Sequence, residues 1–492
     1  MRKKIVKAIS HERPEFKHLW NRSLPINQLP AELLAQIFIM VVHFETYFTT
    51  SGNRRPRAIG WRSMAVCRHW HDFFIATPML WCSVNPANNT NWTQLCLARS
   101  DTTPINFSVR VPYPCSPDRL RLMHPPVHRI KRLYFEIHTG VRDPDPDTLA
   151  TIPLLFGNGM PVLAQLDFSI TACRRYFSHF HMPIDVELTS RRFPHLQSLA
   201  LTGVVAPRGA SFYTQLRTLS LNTCSHNMSF CRFLDVLASC TRLEHLHLEN
   251  TLDRLSGDWM HRYPASSSRP LISFPRLDTF ELSGHGAVCT SRFLAHFHIQ
   301  SSVRLRISAD ADADLDGSDG PLSIAAMLPP SYAVTLEPLS TAHDVLSMDM
   351  PADGYRWIRI QAGSAGPPAE TVPAVSLSMQ PVSWDARGPL VRSRRGTVSD
   401  LVELLGHPPV TSLSVDRLFF DTVEAWRDVF RAFPLLERLS VCGSRGPLAI
   451  ANVFLGLHAA STADSDSGSP VAVACPSLAN ISLVGILSGQ RG

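Results

Sequence analysis

Leu216–Leu221 reads LRTLSL and Leu243–Leu248 reads LEHLHL, and these two hexapeptides decide the fold. Each has leucine at its first, fourth and sixth positions. The closing Leu-x-Leu alternates as a strand does, so both leucines fall on one side of an extended backbone. Working outward, the same unit appears as Ile130/Leu133/Phe135, Leu163/Leu166/Phe168, Leu196/Leu199/Leu201 and Leu277/Phe280/Leu282. It returns as Tyr355/Ile358/Ile360, Val410/Leu413/Val415, Leu436/Leu439/Val441 and Leu478/Ile481/Leu483. Several units share a lead-in, Phe193-Pro194, Phe274-Pro275, Phe433-Pro434 or Cys475-Pro476, and several end in Gly or Asn where the chain must turn.

Between units the period lengthens to that of a helix. Phe230, Phe233, Leu234 and Leu237 share one helical face, and Asp421 with Glu424 forms a capping signature before Val423, Trp426, Phe430 and Phe433. Alternating strands and helices of this kind resemble a leucine-rich-repeat solenoid, in which each unit buries its apolar edge against its neighbours. The central positions from Leu133 to Phe280 are 33, 33, 20, 27 and 34 residues apart, so the repeat is irregular. The alternative is an ordinary α/β domain with a leucine-rich parallel sheet; the repeated lead-ins favour the array.

Ahead of the repeats stand LPAELLAQIF, Leu29–Phe38, and WRSMAVCRHWHDFFIATPMLW, Trp61–Trp81. Pro30 suits a helix start, where its missing N–H is no loss. Leu33, Leu34, Ile37, Phe38 and Val41 recur at helical spacing. Ser63, Val66, Cys67, Trp70, Phe73 and Phe74 predict a second helix, stopped at Thr77-Pro78 because the residue before proline resists the α region. Two short helices cannot bury this much apolar surface between them. Leu-Pro, Glu-Leu-Leu, Ile-Phe, Val-Cys-Arg-x-Trp and Pro-x-Leu-Trp, in this order, resemble the F-box of fungal F-box proteins. The segment Trp92–Val109 is similar to the helix and strand that come after that module in the family. The departure is a polar insertion, Glu45–Ile59, with Arg54, Arg55 and Arg57, expected to loop out between the helices.

The expected fold is therefore α/β, a small all-α F-box followed by an irregular leucine-rich-repeat-like α/β solenoid. The expected domains are a basic tail over 1–23, the F-box over 24–83 and the repeat region over 84–492, with loops near 309–320 and 461–470.

Composition and missing motifs exclude much. The chain has 492 residues, 45% hydrophobic and 18% charged, the balance of a folded protein. No run of 18 apolar residues reads as a membrane span, and the basic N-terminus lacks a signal peptide's apolar region, so a cytoplasmic or nuclear protein is expected. Eleven scattered cysteines without a C-x-x-C pair read as reduced, buried thiols; Cys224, Cys231 and Cys240 lie too far apart for zinc spacing. Asp312, Asp314, Asp316 and Gly317 match the opening of a calcium loop, but its twelfth position is Ser323 where a bidentate Glu is required, so an acidic linker is expected. No phosphate-binding loop, dinucleotide fingerprint, nucleophile elbow or HExxH occurs. His179/His181, His245/His247, His296/His298 and His69/His71 lack a matching carboxylate or Cys and read as surface histidines. The net charge of +6 and the clusters Arg54/Arg55/Arg57, Arg191/Arg192 and Arg392/Arg394/Arg395 lack the aromatics of a stacking platform, so no nucleic acid is expected.

The F-box resemblance implies docking to a Skp-type adaptor, and through it to a cullin and a RING subunit of a ubiquitin ligase. Matched to the family's motif, the adaptor-binding residues are Leu29, Pro30, Leu33, Leu34, Ile37, Val66, Cys67, Trp70, Leu80 and Trp81. The chain would be a non-catalytic substrate receptor, its repeats binding an unknown target protein, with no metal or cofactor. The alternative is a scaffold that binds the adaptor without directing ubiquitin transfer.

Overall fold

A computed structural model describes residues 21, 23–48, 59–86, 90–112, 126–139, 152, 156–157, 159–172, 188–252, 255, 269–311, 324–340, 344–349, 358–363, 375–381, 410–416, 422–442, 447–462 and 473–484. Outside them lie the 1–20 part of the basic tail, Arg54/Arg55/Arg57, His179/His181, Asp312–Gly317 and Arg392/Arg394/Arg395. The chain divides into two compact units, 1–199 and 200–492. The fold is mixed α/β, built on parallel sheet.

The first unit opens with helices. A 3-10 turn, Pro25–Gln28, leads into α1 (Ala31–Phe48), and α2 (Ile59–Met64), α3 (Arg68–Ala76) and a second 3-10 turn, Pro78–Trp81, come next. Helix α1 runs through Phe48, so Glu45–Phe48 of the expected loop are helical, and 49–58 lie outside the described residues. The single helix expected across Ser63–Phe74 is two helices. Ala65 and Val66 close a turn through hydrogen bonds to Arg62 O and Ser63 O (3.1 and 3.2 Å), and Cys67 is extended. Val66 and Cys67 are weak helix formers, and the break lets α3 turn its aromatics onto α1. Phe38 lies 4.8 Å from Trp70 and 4.6 Å from Phe74, centroid to centroid. Thr77-Pro78 ends α3, with Thr77 Oγ1 donating to Phe73 O at 2.7 Å.

Four parallel strands come after the helices, interrupted by α4 (Thr90–Arg99): β1 (Ser83–Val84), β2 (Ile105–Pro112), β3 (Ile130–Thr139) and β4 (Gln165–Ala172), each beside the next. Their apolar positions meet in register. Phe107 is opposite Leu133 and Leu133 opposite Leu166, while Val109, Phe135 and Phe168 form the next rung. All six are buried, with Phe135 and Phe168 stacked at 5.3 Å.

Strand β5 (Ser198–Thr202) carries the chain into the second unit. There α5 (Ala210–Tyr213), β6 (Thr218–Asn222), α6 (Phe230–Ala238), β7 (His245–Glu249), β8 (Ile272–Ser273), β9 (Thr279–Gly286), α7 (Ala287–Leu294), β10 (Phe297–His298) and β11 (Arg304–Ala311) succeed one another. Strands β6, β7, β9 and β11 pair in parallel, and β8 with β10 makes a small separate sheet. Leu219, Leu246, Phe280 and Leu305 align across the sheet, as do Leu221, Leu248, Leu282 and Ile307. Ser229 caps α6, and Phe230, Phe233, Leu234 and Leu237 are all buried.

The shared lead-in has a physical meaning. Leu196 N donates to Phe193 O (3.3 Å), Leu277 N to Phe274 O (3.3 Å), Leu436 N to Phe433 O (3.2 Å) and Leu478 N to Cys475 O (3.0 Å). Each lead-in is a β-turn with proline at its second position, where a fixed φ favours the bend. The first residue and the fourth are apolar, so the turn tucks both inward before the strand starts.

Regularity breaks after β11. Beyond α8 (Tyr332–Thr335) and α9 (Glu337–Ser340), the strands β12 (Asp344–Asp349), β13 (Ile358–Gly363) and β14 (Val375–Pro381) form an antiparallel set in the order β11-β14-β13-β12-β15. The expected repeat at Ile358/Ile360 is thus the reversed strand of this set. Only 8 residues separate β12 from β13 and 11 separate β13 from β14, too few for the crossover helix that a parallel neighbour needs.

Parallel order resumes with β15 (Ser412–Asp416), α10 (Val423–Ala432), β16 (Arg438–Cys442), α11 (Pro447–Thr462) and β17 (Asn480–Val484). Thr422 caps α10 by accepting from Ala425 N at 3.2 Å, the role the sequence assigns to Asp421. The two expected loops, near 309–320 and 461–470, lie mostly outside the described residues; at their starts Ala309 is buried in β11, and Ser461 and Thr462 belong to α11.

Helices α10 and α11 touch where Gly456 meets Trp426. A Cβ at Gly456 would lie 2.4 Å from Trp426 Cβ. Gly456→Ala is expected to destabilise the protein by about 1–3 kcal/mol through overpacking. Gly209→Ala, whose methyl meets nothing within 4 Å, is expected to change stability by less than about 1 kcal/mol; denaturant unfolding of the two variants is the check.

Candidate functional site

Helix α1 carries two apolar stripes side by side. At about 100° per residue, Leu34, Phe38 and Val41 share one stripe, and Leu33, Ile37 and Met40 share the next. Leu34 and Phe38 are buried, held by α3 and the 3-10 turn behind it. The second stripe has no such cover among the described residues: Leu33 is 47% exposed, Met40 62%, and Ile37 partly so. Pro30, at the start of the helix, is exposed as well. An apolar band wider than its core requires marks a contact surface.

The ten sequence-selected residues fall into three groups. Leu33, Pro30 and Val66 are exposed; Leu29, Ile37, Cys67 and Trp70 are half-buried. Leu34, Leu80 and Trp81 are interior. Trp81 shows why. Its Nε1 donates to Phe74 O at 2.7 Å, Trp92 lies 5.3 Å away, and the Arg99 guanidinium sits 4.6 Å over its ring. This indole ties the 3-10 turn to α3 and α4. Trp70 also has internal work, donating from Nε1 to Asn27 Oδ1 at 2.5 Å. Met40, Met79, Ile75 and Ile26 are exposed apolar residues that the sequence motif did not single out. Met40 was legible from helical spacing, seven residues beyond Leu33.

Beside this face is a cleft of 260 Å³. Ile39, Met79 and Leu80 line it on the helical side, and Asn106, Lys131 and Arg132 on the strand side.

The outward positions of the strands are polar. In the first unit Arg110 pairs with Glu136 (3.1 Å), Tyr134 donates its hydroxyl to Glu136 (2.7 Å), and Asp167 stands opposite Tyr134 in the next strand. Burial, then the nearby Glu136 charge, pushes the Asp167 carboxyl up to about 6 from 3.8. In the second unit Asn222 donates to Glu249 (2.6 Å), Ser220 meets His247 (3.1 Å), and Arg306 pairs with Glu281 (2.9 Å). A hydrogen bond from Arg304 holds the Asp278 carboxyl below the usual range, and His245 Nδ1 lies 3.9 Å from the same group. The histidines thus join carboxylate and hydroxyl partners across the sheet. Among the described residues no three His, Cys, Asp or Glu gather as metal ligands, and no helix is long and apolar enough to cross a membrane. Cys82, Cys96, Cys240 and Cys475 are buried, and burial raises each thiol's pKa, to about 12 at Cys96 and Cys240.

Asp167 supplies a pH test. Its folded pKa lies above its unfolded value, so its contribution favours folding at low pH and is lost as pH rises from about 4 to about 6. Asp167→Asn, which cannot ionise, is expected to flatten that slope and to be more stable at pH 7 by about 1–3 kcal/mol. Urea unfolding of both proteins across this range is the measurement, and an unchanged slope would place the titration elsewhere. Comparison with known proteins finds no family model and no curated protein that matches this chain.

Proposed function

We propose that this chain is a substrate-receptor subunit of an SCF-type cullin-RING ubiquitin ligase. Its helical module, an F-box, docks a Skp-type adaptor, and its strand-and-helix repeats, a leucine-rich-repeat-like array, bind a target protein. The observation that carries this reading is the uncovered stripe Leu33, Ile37 and Met40 on α1, lying beside the stripe that builds the core. The helical order and the Leu-Pro, Val-Cys-Arg-x-Trp and Pro-x-Leu-Trp motifs support it.

The chain then performs no bond chemistry. Its contribution is proximity: one surface holds the adaptor while another holds the target, so that ubiquitin transfer by partner proteins becomes effectively intramolecular. The polar outward positions of the strands, with their alternating Arg, His, Asp and Glu, suit recognition of a protein surface, where charge pattern governs specificity more than raw affinity.

Co-purification with recombinant Skp-type adaptor and cullin tests this. The intact chain is expected to retain both, and Leu33→Asp with Met40→Asp is expected to lose both while remaining folded, because both positions are exposed. Leu34→Ala is the contrasting variant, expected to cost about 2–5 kcal/mol of stability because its side chain is buried. Retention of the adaptor without the cullin would favour the scaffold reading, and failure of the intact chain to hold the adaptor would refute the F-box assignment.

A further inference from the structure

The 260 Å³ cleft beside α1 is lined by charge of one sign. Lys131 and Arg132, both exposed, stand on its strand side, and no Asp or Glu lines it among the described residues. Ile105 is opposite Ile130 and Asn106 opposite Arg132, so Lys131 is the extra residue of a bulge, which brings two consecutive cations to one rim.

Comparable cations elsewhere in the chain are matched. Arg110 is in register with Glu136 and pairs with it, and Arg306 is in register with Glu281 and pairs with it. Lys131 holds the second position of its repeat; at that position in later repeats Arg217 meets Glu244, and Asp278 meets Arg304. Around Lys131 and Arg132 the corresponding places are neutral. Asn106 and Gln165 lie in register with Arg132 on either side, and the next repeat has Ala164 at its second position. Neither cation makes an ion pair or side-chain hydrogen bond among the described residues. Nor do the side chains of Ser83 and Asn106, which line the cleft in one row with Arg132.

One wall therefore offers two cations, a hydroxyl and an amide, and the other offers Ile39, Met79 and Leu80. Charge of one sign beside low-dielectric walls focuses the field and concentrates counter-charge. Arg129 stiffens the Thr103 end of the cleft, donating from Nη2 to Thr103 O (2.9 Å) and Ser100 Oγ (2.8 Å). A phosphate monoester carries a charge of about −1.5 to −2 and three acceptor oxygens, which two cations and two neutral donors match better than they match a carboxylate. The cleft is smaller than the roughly 300–1,000 Å³ of sites for drug-sized ligands, so the apolar wall takes a single ring or a short chain.

We propose that this cleft binds a small organic phosphate monoester, its phosphate held by Lys131 and Arg132 and its apolar body against Ile39 and Met79. The site stands apart from adaptor docking, since Leu33, Ile37 and Met40 do not line it.

Isothermal titration calorimetry of the full chain with phenyl phosphate is the experiment. Inorganic phosphate lacks the body, benzoate the second charge, and phenol any charge. Phenyl phosphate is expected to bind at one site per chain and about tenfold or more tighter than each of these, because a charge-assisted hydrogen bond or the burial of one ring is worth at least that much. Lys131→Gln with Arg132→Gln is expected to weaken phenyl phosphate by about tenfold or more, at unchanged far-UV circular dichroism because both side chains are exposed. Met79→Ala is expected to weaken phenyl phosphate while leaving inorganic phosphate as it was. Inorganic phosphate binding as tightly as phenyl phosphate would reduce the site to a surface charge effect and overturn the inference. Benzoate equal to phenyl phosphate, full binding by the double glutamine variant, or no binding of phenyl phosphate by the intact chain would overturn it too.

Discussion

Everything in the repeats depends on a four-residue turn that hands one carbonyl to the next strand. After Leu243 and Leu277 close their turns, the following two amides reach back to the neighbouring repeat: Glu244 N and His245 N to Arg217 O, and Asp278 N and Thr279 N to Glu244 O. The same double grip recurs later, from Glu437 N and Arg438 N to Thr411 O and from Ala479 N and Asn480 N to Glu437 O. A one-residue slip would throw every leucine to the outer side. The turn prevents that, because it fixes which amide meets which carbonyl before the strand has formed. Register, the alignment of leucines and the polarity of the opposite side are all set by it.

This constraint also separates two kinds of residue. Inward positions such as Leu219, Leu246 and Phe280 are fully buried and interchangeable in chemistry, and only their volume matters. Outward positions such as His247, Glu249 and Glu281 are held by the same backbone but are free to vary. Replacement there disturbs one cross-strand pair, typically worth less than about 1 kcal/mol, so surface recognition can diverge without weakening the core.

The strands were legible because the turn leaves a trace of its own, an apolar residue, often proline, then leucine. Where the trace fades, strands go unrecognised. Strand β11 starts after a turn in which Val303 N donates to Gln300 O (3.0 Å), with valine in place of leucine and only two residues from Leu305. Strands β12 and β14 begin without the lead-in, and the reversal of β13 is a matter of neighbour order, which a local pattern does not encode. In the helical module the periodicity of α1 located an apolar band, but Leu33 and Leu34 look alike in sequence. Only the position of Phe74 and the 3-10 turn decides that Leu34 is interior and Leu33 outside. The break at Val66 was likewise invisible, since the apolar spacing continues straight across it.

The antiparallel set between β11 and β15 contains three strands, and the odd number has a consequence for how such a chain can change. Strand β14 runs with β11, β13 against both its neighbours, and β12 with β15. The array therefore leaves the excursion pointing the way it entered. An insertion of two strands with the same parallel junctions would have reversed the direction of every later repeat, whereas three can be acquired or shed as a block without altering the direction of the repeats beyond them. Lineages that lengthen or trim this chain have a natural place to do so, at the junctions after Ala311 and before Ser412.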